Sequence, residues 1–87
     1  MGMTKEERIR RGVNATGLLQ DEVFKDAIRV VKEYHTSKFS RPDATDAEVL
    51  EARRMVLALT ELVTQIVSFI EDGKIAKTAE EKERHRG

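Results

Sequence analysis

The sequence lacks cysteine, contains a single proline, and has few aromatic residues: one tyrosine, three phenylalanines and no tryptophan. Without cysteine the chain can form no disulfide, no thiolate nucleophile and no cysteine-ligated zinc site, and a reducing compartment is permitted. An excess of one charge sign is also missing, because 16 Lys and Arg balance 16 Asp and Glu. A protein whose main task is to hold nucleic acid usually has a strong basic excess, so the composition argues against that class.

Long apolar runs are missing as well. The most apolar stretch, MVLALTELVTQIVSFI, contains Glu61 and Gln65 and is too short and too interrupted to span a bilayer. The first residues, MGMTKEERIRRG, include no apolar segment of the kind found in signal peptides. We therefore expect no membrane partner.

Apolar residues recur with helical spacing along almost the whole chain, which predicts an all-α fold. A threonine followed three residues later by glutamate, the pattern of a helix-capping box, occurs at Thr4, Thr45 and Thr78. The first helix is predicted from Lys5 to about Leu19. A break is expected near Gln20 and Asp21, because an aspartate can cap the helix that follows it.

Two further helices are predicted, from Glu22 to about Lys38 and from Asp46 to about Asp72. The turn SRPDAT separates them, because Pro42 cannot continue a helix and pushes its predecessor out of helical geometry. Apolar residues cover about 160° of the third helix, too wide an arc for one neighbouring helix. The neighbours are the other helices of the same chain or helices of another copy. The predicted fold is a hairpin of the second and third helices covered by the N-terminal helix.

The segment SFIEDGKIAK predicts the end of the third helix. Gly73 follows the last apolar residue of the periodic pattern, where a glycine commonly closes a helix. Lys74 and Lys77 follow it, where cations favour the negative helix end. Residues 1–77 are therefore predicted to form a single helical domain, and residues 78–87 a charged, partly disordered tail or a short fourth helix.

No arrangement of residues suggests a catalytic, metal or cofactor site. The two histidines, His35 and His85, are not spaced as a ligand pair, and a metal needs three or four converging ligands. Ser37 and Ser40 lie near His35 in the sequence, but nothing positions an oxyanion hole beside them. We expect a protein that is not an enzyme and has no cofactor.

Two sets of residues are candidates for contacts with partners. Leu50 and Leu57 lie one heptad apart, outside the apolar arc of the third helix. The predicted partner interface consists of Leu50, Leu57, Leu62 and Phe69. A basic patch near the N-terminus is a weaker candidate for contact with nucleic acid or an acidic partner, and consists of Arg8, Arg10 and Arg11. Glutamates dilute this patch, and no aromatic residue is interleaved in it for base stacking.

The segments RRGVNATGLLQDEVFKDAI, SRPDATDAE, EARRMVLALTELV and SFIEDGKIA resemble a group of small all-helical proteins of tailed bacteriophages. The resemblance covers about residues 10–77 and includes a Leu-Leu pair before a Phe, a turn with Pro and Asp, and a closing Gly-Lys-Ile-Ala. The matching residues are Leu18, Leu19, Phe24, Pro42, Asp43, Arg53, Gly73, Lys74, Ile75 and Ala76. An aromatic position near the end of the second helix is matched only approximately, by Tyr34 or Phe39. Most members of the group have no assigned function, so the resemblance implies phage origin more than an activity.

Three functions are consistent with these observations. The first is a helical assembly or adaptor protein of a phage particle or its DNA-packaging apparatus, which associates with itself or docks on a larger phage protein. The second is a phage-encoded inhibitor or sequestering protein directed at a host defence component. The third is a small terminase-like DNA-binding subunit. The expected location is the host cytoplasm or the virion.

Overall fold

A computed structural model describes residues 2–86 and shows an all-α protein. Helix α1 comprises Lys5–Gln20, α2 comprises Glu22–Thr36, and α3 comprises Asp46–Arg86. A short 3₁₀ helix, Ser37–Ser40, follows α2 directly. The predicted helical class is therefore confirmed, and no strand occurs among the described residues.

Side-chain caps begin the helices where the sequence predicted them. The Thr4 and Thr45 hydroxyls accept hydrogen bonds from the backbone N–H groups three residues later, each at 3.1 Å. The Glu48 carboxylate accepts in return from the Thr45 backbone N–H at 3.4 Å, which completes a capping box. Asp21 lies between α1 and α2 as the N-cap of α2, and its carboxylate accepts a hydrogen bond from the Phe24 N–H at 2.8 Å.

The predicted helix end at Gly73 is wrong. Helix α3 runs for 41 residues, and no glycine among residues 2–86 has a positive φ. The lack of a Cβ at Gly73 allows another backbone to pass close to it, because a Cβ built there would lie 3.0 Å from the Gly12 Cα. The residue that sequence reasoning took for a helix stop therefore serves helix packing.

The predicted fourth helix is also wrong, because residues 78–86 continue α3 without a break. Thr78 caps nothing, and its hydroxyl donates to the Lys74 carbonyl oxygen at 3.0 Å, a bond made inside a helix. The segment is helical as far as Arg86, so the partly disordered tail is not confirmed.

The chain divides into two compact units that share α3. The terminal unit combines Met1–Gln20 with Gln65–Gly87, and the hairpin unit comprises Asp21–Thr64. Helix α1 and the hairpin thus belong to different units, and the predicted covering of the hairpin by the first helix is not confirmed.

The terminal unit is a close pair of helices with small residues at its centre. Its buried residues are Gly12, Ala15, Ile66, Gly73 and Ala76. Small side chains allow two helix backbones to approach closely, and packing then depends on contact between the backbones themselves.

The hairpin unit buries very little. Ala52, with 0% of its surface exposed, is the one residue in the buried class among residues 21–64. The apolar residues between α2 and α3 are half-buried: Phe24, Ile28, Val49, Val56, Leu59 and Val63. Two helices packed only on each other leave much of their apolar surface in water.

Candidate interaction surfaces

A groove between α2 and α3 shows which flanks of the two helices lie on the same side of the hairpin unit. The groove is lined by Ile28, Lys32, Leu59, Thr60, Val63 and Thr64. Lys32 and Thr60 therefore lie on one side of the hairpin. The flanks of α2 and α3 that point away from these two residues share the opposite side.

On that opposite side α2 carries an exposed apolar stripe. Val23, Ala27, Val30 and Tyr34 are spaced by four, three and four residues, which places them on one line along a helix. All four are exposed, Val23 at 77% and Tyr34 at 62%. The apolar surface of α2 is thus split between a stripe that packs on α3 and a second stripe that contacts solvent.

Helix α3 contributes a parallel stripe to the same side. Met55, Ala58 and Leu62 lie on the flank of α3 opposite Thr60, and all three are exposed, Leu62 at 49%. The two stripes together form the hairpin face, which consists of Val23, Ala27, Val30, Tyr34, Met55, Ala58 and Leu62. Charged residues adjoin this set: Glu51 lies one helical turn before Met55 on the same flank of α3, and the Lys38 ammonium lies 4.8 Å from the centroid of the Tyr34 ring.

A second apolar surface lies on another flank of α3. Phe39, Asp46, Val49, Leu50 and Arg53 line one shallow pocket, and Leu57 follows Leu50 two helical turns later. Leu57 is 54% exposed. We call Phe39, Leu50 and Leu57 the leucine strip. Arg53 lies beside it and has no ion pair within residues 2–86.

The four residues predicted as one interface lie on three different surfaces. Leu50 and Leu57 belong to the leucine strip, and Leu62 belongs to the hairpin face. Phe69 lies in the terminal unit, where the Arg11 guanidinium stacks on its ring at 4.0 Å from the centroid. Sequence reasoning found exposed leucines but missed the α2 stripe, because a helical wheel does not show which apolar flank of α2 packs on α3.

Two of the three predicted basic contact residues are engaged within the chain. Arg8 donates to the two carboxylate oxygens of Asp72, from Nε at 3.0 Å and from Nη2 at 2.7 Å. Arg11 Nη2 donates to the same carboxylate at 3.3 Å. Arg10 is exposed and lines a cleft of mixed charge with Glu6, Ile9, Lys77, Glu80, Glu81 and Arg84. The basic patch is therefore largely neutralised.

Asp72 is the centre of this charge cluster, whereas the sequence placed it only at the predicted end of the third helix. The hydrogen bonds from Arg8 hold the pKa of Asp72 below its usual value, against partial burial, which acts in the opposite direction. The same hydrogen bond raises the pKa of Arg8. The cluster joins α1 to α3, so it serves the packing of the terminal unit.

The part of the chain that the structure describes offers little for catalysis. No group of three His, Cys, Asp or Glu residues within it could hold a metal ion. The His35 ring contacts the edge of Tyr34, with 5.1 Å between ring centroids. No helix between residues 2 and 86 is long and apolar enough to cross a membrane.

Comparison with known proteins gives no relative: no family model, no curated protein and no solved structure matches this chain. The resemblance to small phage proteins therefore stays a prediction.

Proposed function

We propose that the chain is a non-enzymatic assembly or adaptor protein of a tailed phage, which acts by presenting helix surfaces to other protein subunits. The observation that carries this proposal is the hairpin unit, which buries one alanine fully and exposes two separate apolar surfaces. The similarity of residues 10–77 to small phage proteins supports the phage setting.

The energetics of the hairpin unit favour association. Fully burying an exposed Val, Leu or Met side chain contributes roughly 1.5–3 kcal/mol. Each apolar surface contains several such residues, and covering a half-exposed one contributes part of that value. An 87-residue chain buries only about 60–65% of its unfolded surface, so its own core leaves a small stability margin. Partners that cover these surfaces would therefore stabilise the fold as well as bind it.

Two apolar surfaces on different flanks suit an adaptor with two kinds of contact. The leucine strip combines two exposed leucines with Phe39, and Asp46 and Arg53 line the pocket beside it. Aromatic residues and arginine are enriched in protein interfaces, where they anchor the contact. We assign the leucine strip to docking on a larger phage protein, whose surface would offer an apolar pocket.

The location of the chain tests this function. In purified particles of the encoding phage, the chain should be present at a fixed ratio to the major capsid protein, measured by quantitative mass spectrometry. The double variant Leu50→Ser with Leu57→Ser should be lost from particles while its helical circular dichroism is retained. Val13→Ser is the matched control, because Val13 is 65% exposed and lies in the terminal unit.

Absence of the wild-type chain from particles would overturn the assembly proposal. The remaining interpretation would then be a sequestering protein that acts on a host component, which needs exposed apolar surfaces but no place in the virion. The terminase-like alternative is disfavoured by the engagement of Arg8 and Arg11 with Asp72.

A further inference from the structure

We propose that α1 is a strap that opens from α3 on its own, while the hairpin unit stays folded, and that ionic strength controls the opening. Opening uncovers an apolar stripe of α3 in the terminal unit, the covered stripe, which consists of Ile66, Phe69, Ile70 and Ala76. This inference goes beyond the proposed function, because it concerns a surface that the closed chain covers.

Three ion pairs hold α1 on α3. The Lys5 ammonium pairs with the Glu83 carboxylate. The Nη2 atoms of Arg8 and Arg11 lie 2.7 and 3.3 Å from oxygens of the Asp72 carboxylate. The paired side chains keep 30–64% of their surface in water, so dissolved salt screens their attraction. Within residues 2–86 no ion pair joins α2 to α3, because the pairs of α2 all lie inside that helix.

The apolar part of the contact between α1 and α3 is small. Gly12 and Ala15 are the residues of α1 in the buried class, and they have little side chain to remove from water. Ile9 and Leu19 are half-buried. The contact between α2 and α3 instead uses larger apolar side chains. Because salt does not screen apolar burial, the attachment of α2 should survive conditions that loosen α1.

The end of α1 next to α2 is suited to act as a hinge. A Cβ built on Gly17 has no atom within 4 Å, and no glycine among residues 2–86 has a positive φ. Glycine at this position therefore weakens the helix without serving its packing. The last turn of α1 has no basic residue to interact with the helix dipole. Asp21, with an extended backbone at φ −69° and ψ 124°, is the single residue between α1 and α2.

The hairpin unit keeps its own start when α1 leaves. The Asp21 carboxylate accepts from the Phe24 N–H at 2.8 Å, and the Asp21 carbonyl oxygen accepts from the Lys25 N–H at 3.0 Å. Neither bond involves α1. A released α1 would lose its helical structure, because an isolated helix of 16 residues that contains two glycines is marginal in water. The open state is thus an unfolded segment 5–20 attached to a folded hairpin unit.

The first experiment measures amide hydrogen exchange of the wild-type chain by mass spectrometry, in about 0.1 M and about 1 M sodium chloride. This change shortens the Debye length from about 10 Å to about 3 Å. Exchange in Lys5–Gln20 should accelerate about three- to tenfold, because three partly exposed ion pairs are screened. Exchange in Glu22–Thr36 should change less than about twofold, because the ion pairs of α2 are intrahelical and more exposed.

Two matched variants test which ion pairs matter. Asp72→Asn removes the charge that pairs with both arginines, so at low salt it should accelerate exchange in α1 about three- to tenfold and leave α2 unchanged. The remaining response of α1 to salt should be smaller than in wild type. Asp26→Asn is the control, because Asp26 pairs with Arg29 inside α2 at 3.6 Å. The control should leave exchange in α1 unchanged.

Single-cysteine variants report the uncovering itself, since the chain has no native cysteine. Ala76 in the terminal unit is 1% exposed, and Ala52 in the hairpin unit is 0% exposed. The variants Ala76→Cys and Ala52→Cys are treated with N-ethylmaleimide, a neutral reagent, and Ile75→Cys gives the rate of an exposed neighbour. High salt should accelerate the labelling of Ala76→Cys relative to Ile75→Cys by the factor found for α1 exchange. The labelling of Ala52→Cys should change less than about twofold.

The outcomes separate this inference from the proposed function. Equal acceleration of α1 and α2 by salt overturns the strap, because the two helices would then open together. No acceleration in either helix also overturns it, because the ion pairs would then not hold α1. Faster α1 exchange without faster labelling of Ala76→Cys would mean that α1 frays in place, which overturns the uncovering of the stripe. Wild-type exchange needs no substitution, so it decides the question even where a cysteine variant does not fold. None of these results bears on the presence of the chain in phage particles, which tests the proposed function.

Discussion

Gly12 of α1 and Gly73 of α3 meet backbone to backbone. A Cβ built on Gly73 would lie 3.0 Å from the Gly12 Cα and 3.1 Å from the Arg8 carbonyl oxygen. A Cβ built on Gly12 would lie 3.1 Å from both the Gly73 Cα and the Phe69 carbonyl oxygen. Because these neighbours are backbone atoms, no side-chain rotation can relieve the contact, and the two helices would have to separate.

Substitution of Gly73 by alanine should destabilise the protein, although alanine is the better helix former. The gain in helix propensity is about 1 kcal/mol. Separation of α1 from α3 costs packing, typically about 1–3 kcal/mol for an overpacked site, and also strains the cluster around Asp72. We expect a net loss of up to about 2 kcal/mol in the free energy of unfolding, measured by urea denaturation followed by circular dichroism.

Gly17→Ala is the matched control, because a Cβ built there has no atom within 4 Å. The control should raise the free energy of unfolding by about 0.5–1 kcal/mol through helix propensity alone. Equal stabilisation by the two substitutions would contradict the close crossing at Gly73.

Acidification should weaken the terminal unit through Asp72. The pKa of this carboxyl is lowered in the folded chain, chiefly by hydrogen bonds from Arg8, so the folded state holds its proton less tightly than the unfolded state. The contribution of Asp72 to the free energy of unfolding is therefore complete above its pKa in the unfolded chain, about 3.9. That contribution is lost as the pH falls through the lower pKa of the folded state. Thermal unfolding midpoints measured from pH 7 to pH 2.5 should show this loss.

The variant Asp72→Asn should be less stable than wild type at pH 7, and its stability should fall less than that of wild type below pH 4. Glu71→Gln is the control, since Glu71 is the adjacent residue, is exposed, and forms no ion pair within residues 2–86. A pH profile of Asp72→Asn that runs parallel to that of wild type would show that the arginine contacts carry no acid-dependent stability.

The helical class and most helix ends could be predicted from the sequence because they depend on local interactions. Spacing of apolar residues, the caps at Thr4 and Thr45, and the break at Asp21 each involve residues within one or two turns. Gly73 could not be assigned in this way. A glycine at a helix end and a glycine at a helix crossing look alike in sequence, and only the approach of Gly12 from 61 positions away distinguishes them.

The candidate surfaces could be predicted only in part, because they too depend on both local spacing and contacts between distant residues. A helical wheel shows which residues share a flank of α3, and so it found Leu50 and Leu57 outside the main apolar arc. It does not show which flank of α2 remains open, because that depends on how the two helices pair. The contact of Arg11 with Phe69 likewise depends on the approach of α1, so Phe69 was predicted as a partner residue although the chain itself covers its ring.

Nucleic-acid binding should be weak despite the three arginines near the N-terminus. Arg8 and Arg11 are committed to Asp72, and the net charge of the chain is zero. Counterion release requires cations that are free to contact phosphates, so we expect little retention of DNA in a filter or gel assay, even at low salt. Strong retention that falls steeply with salt, and that Arg10→Ala abolishes, would contradict this expectation and revive the terminase-like alternative.

Two threonines with the same sequence signature should respond differently to alanine. Thr45 caps α3, and its hydroxyl accepts from the Glu48 N–H at 3.1 Å. Thr45→Ala should therefore lower the free energy of unfolding by about 1 kcal/mol. Thr78 lies inside α3, where its hydroxyl caps no helix start and donates to the Lys74 carbonyl oxygen. Thr78→Ala should be neutral or stabilising by up to about 0.5 kcal/mol, because alanine is the better helix former.

Urea denaturation of the two variants and wild type at one protein concentration measures this difference, and fixed concentration removes any effect of association. A loss of about 1 kcal/mol in Thr78→Ala, with none in Thr45→Ala, would mean that a helix begins at Thr78 after all, since only a capping threonine is costly to remove. The pair therefore tests the continuity of α3 through Gly73, on which the crossing with Gly12 and the position of Asp72 both depend.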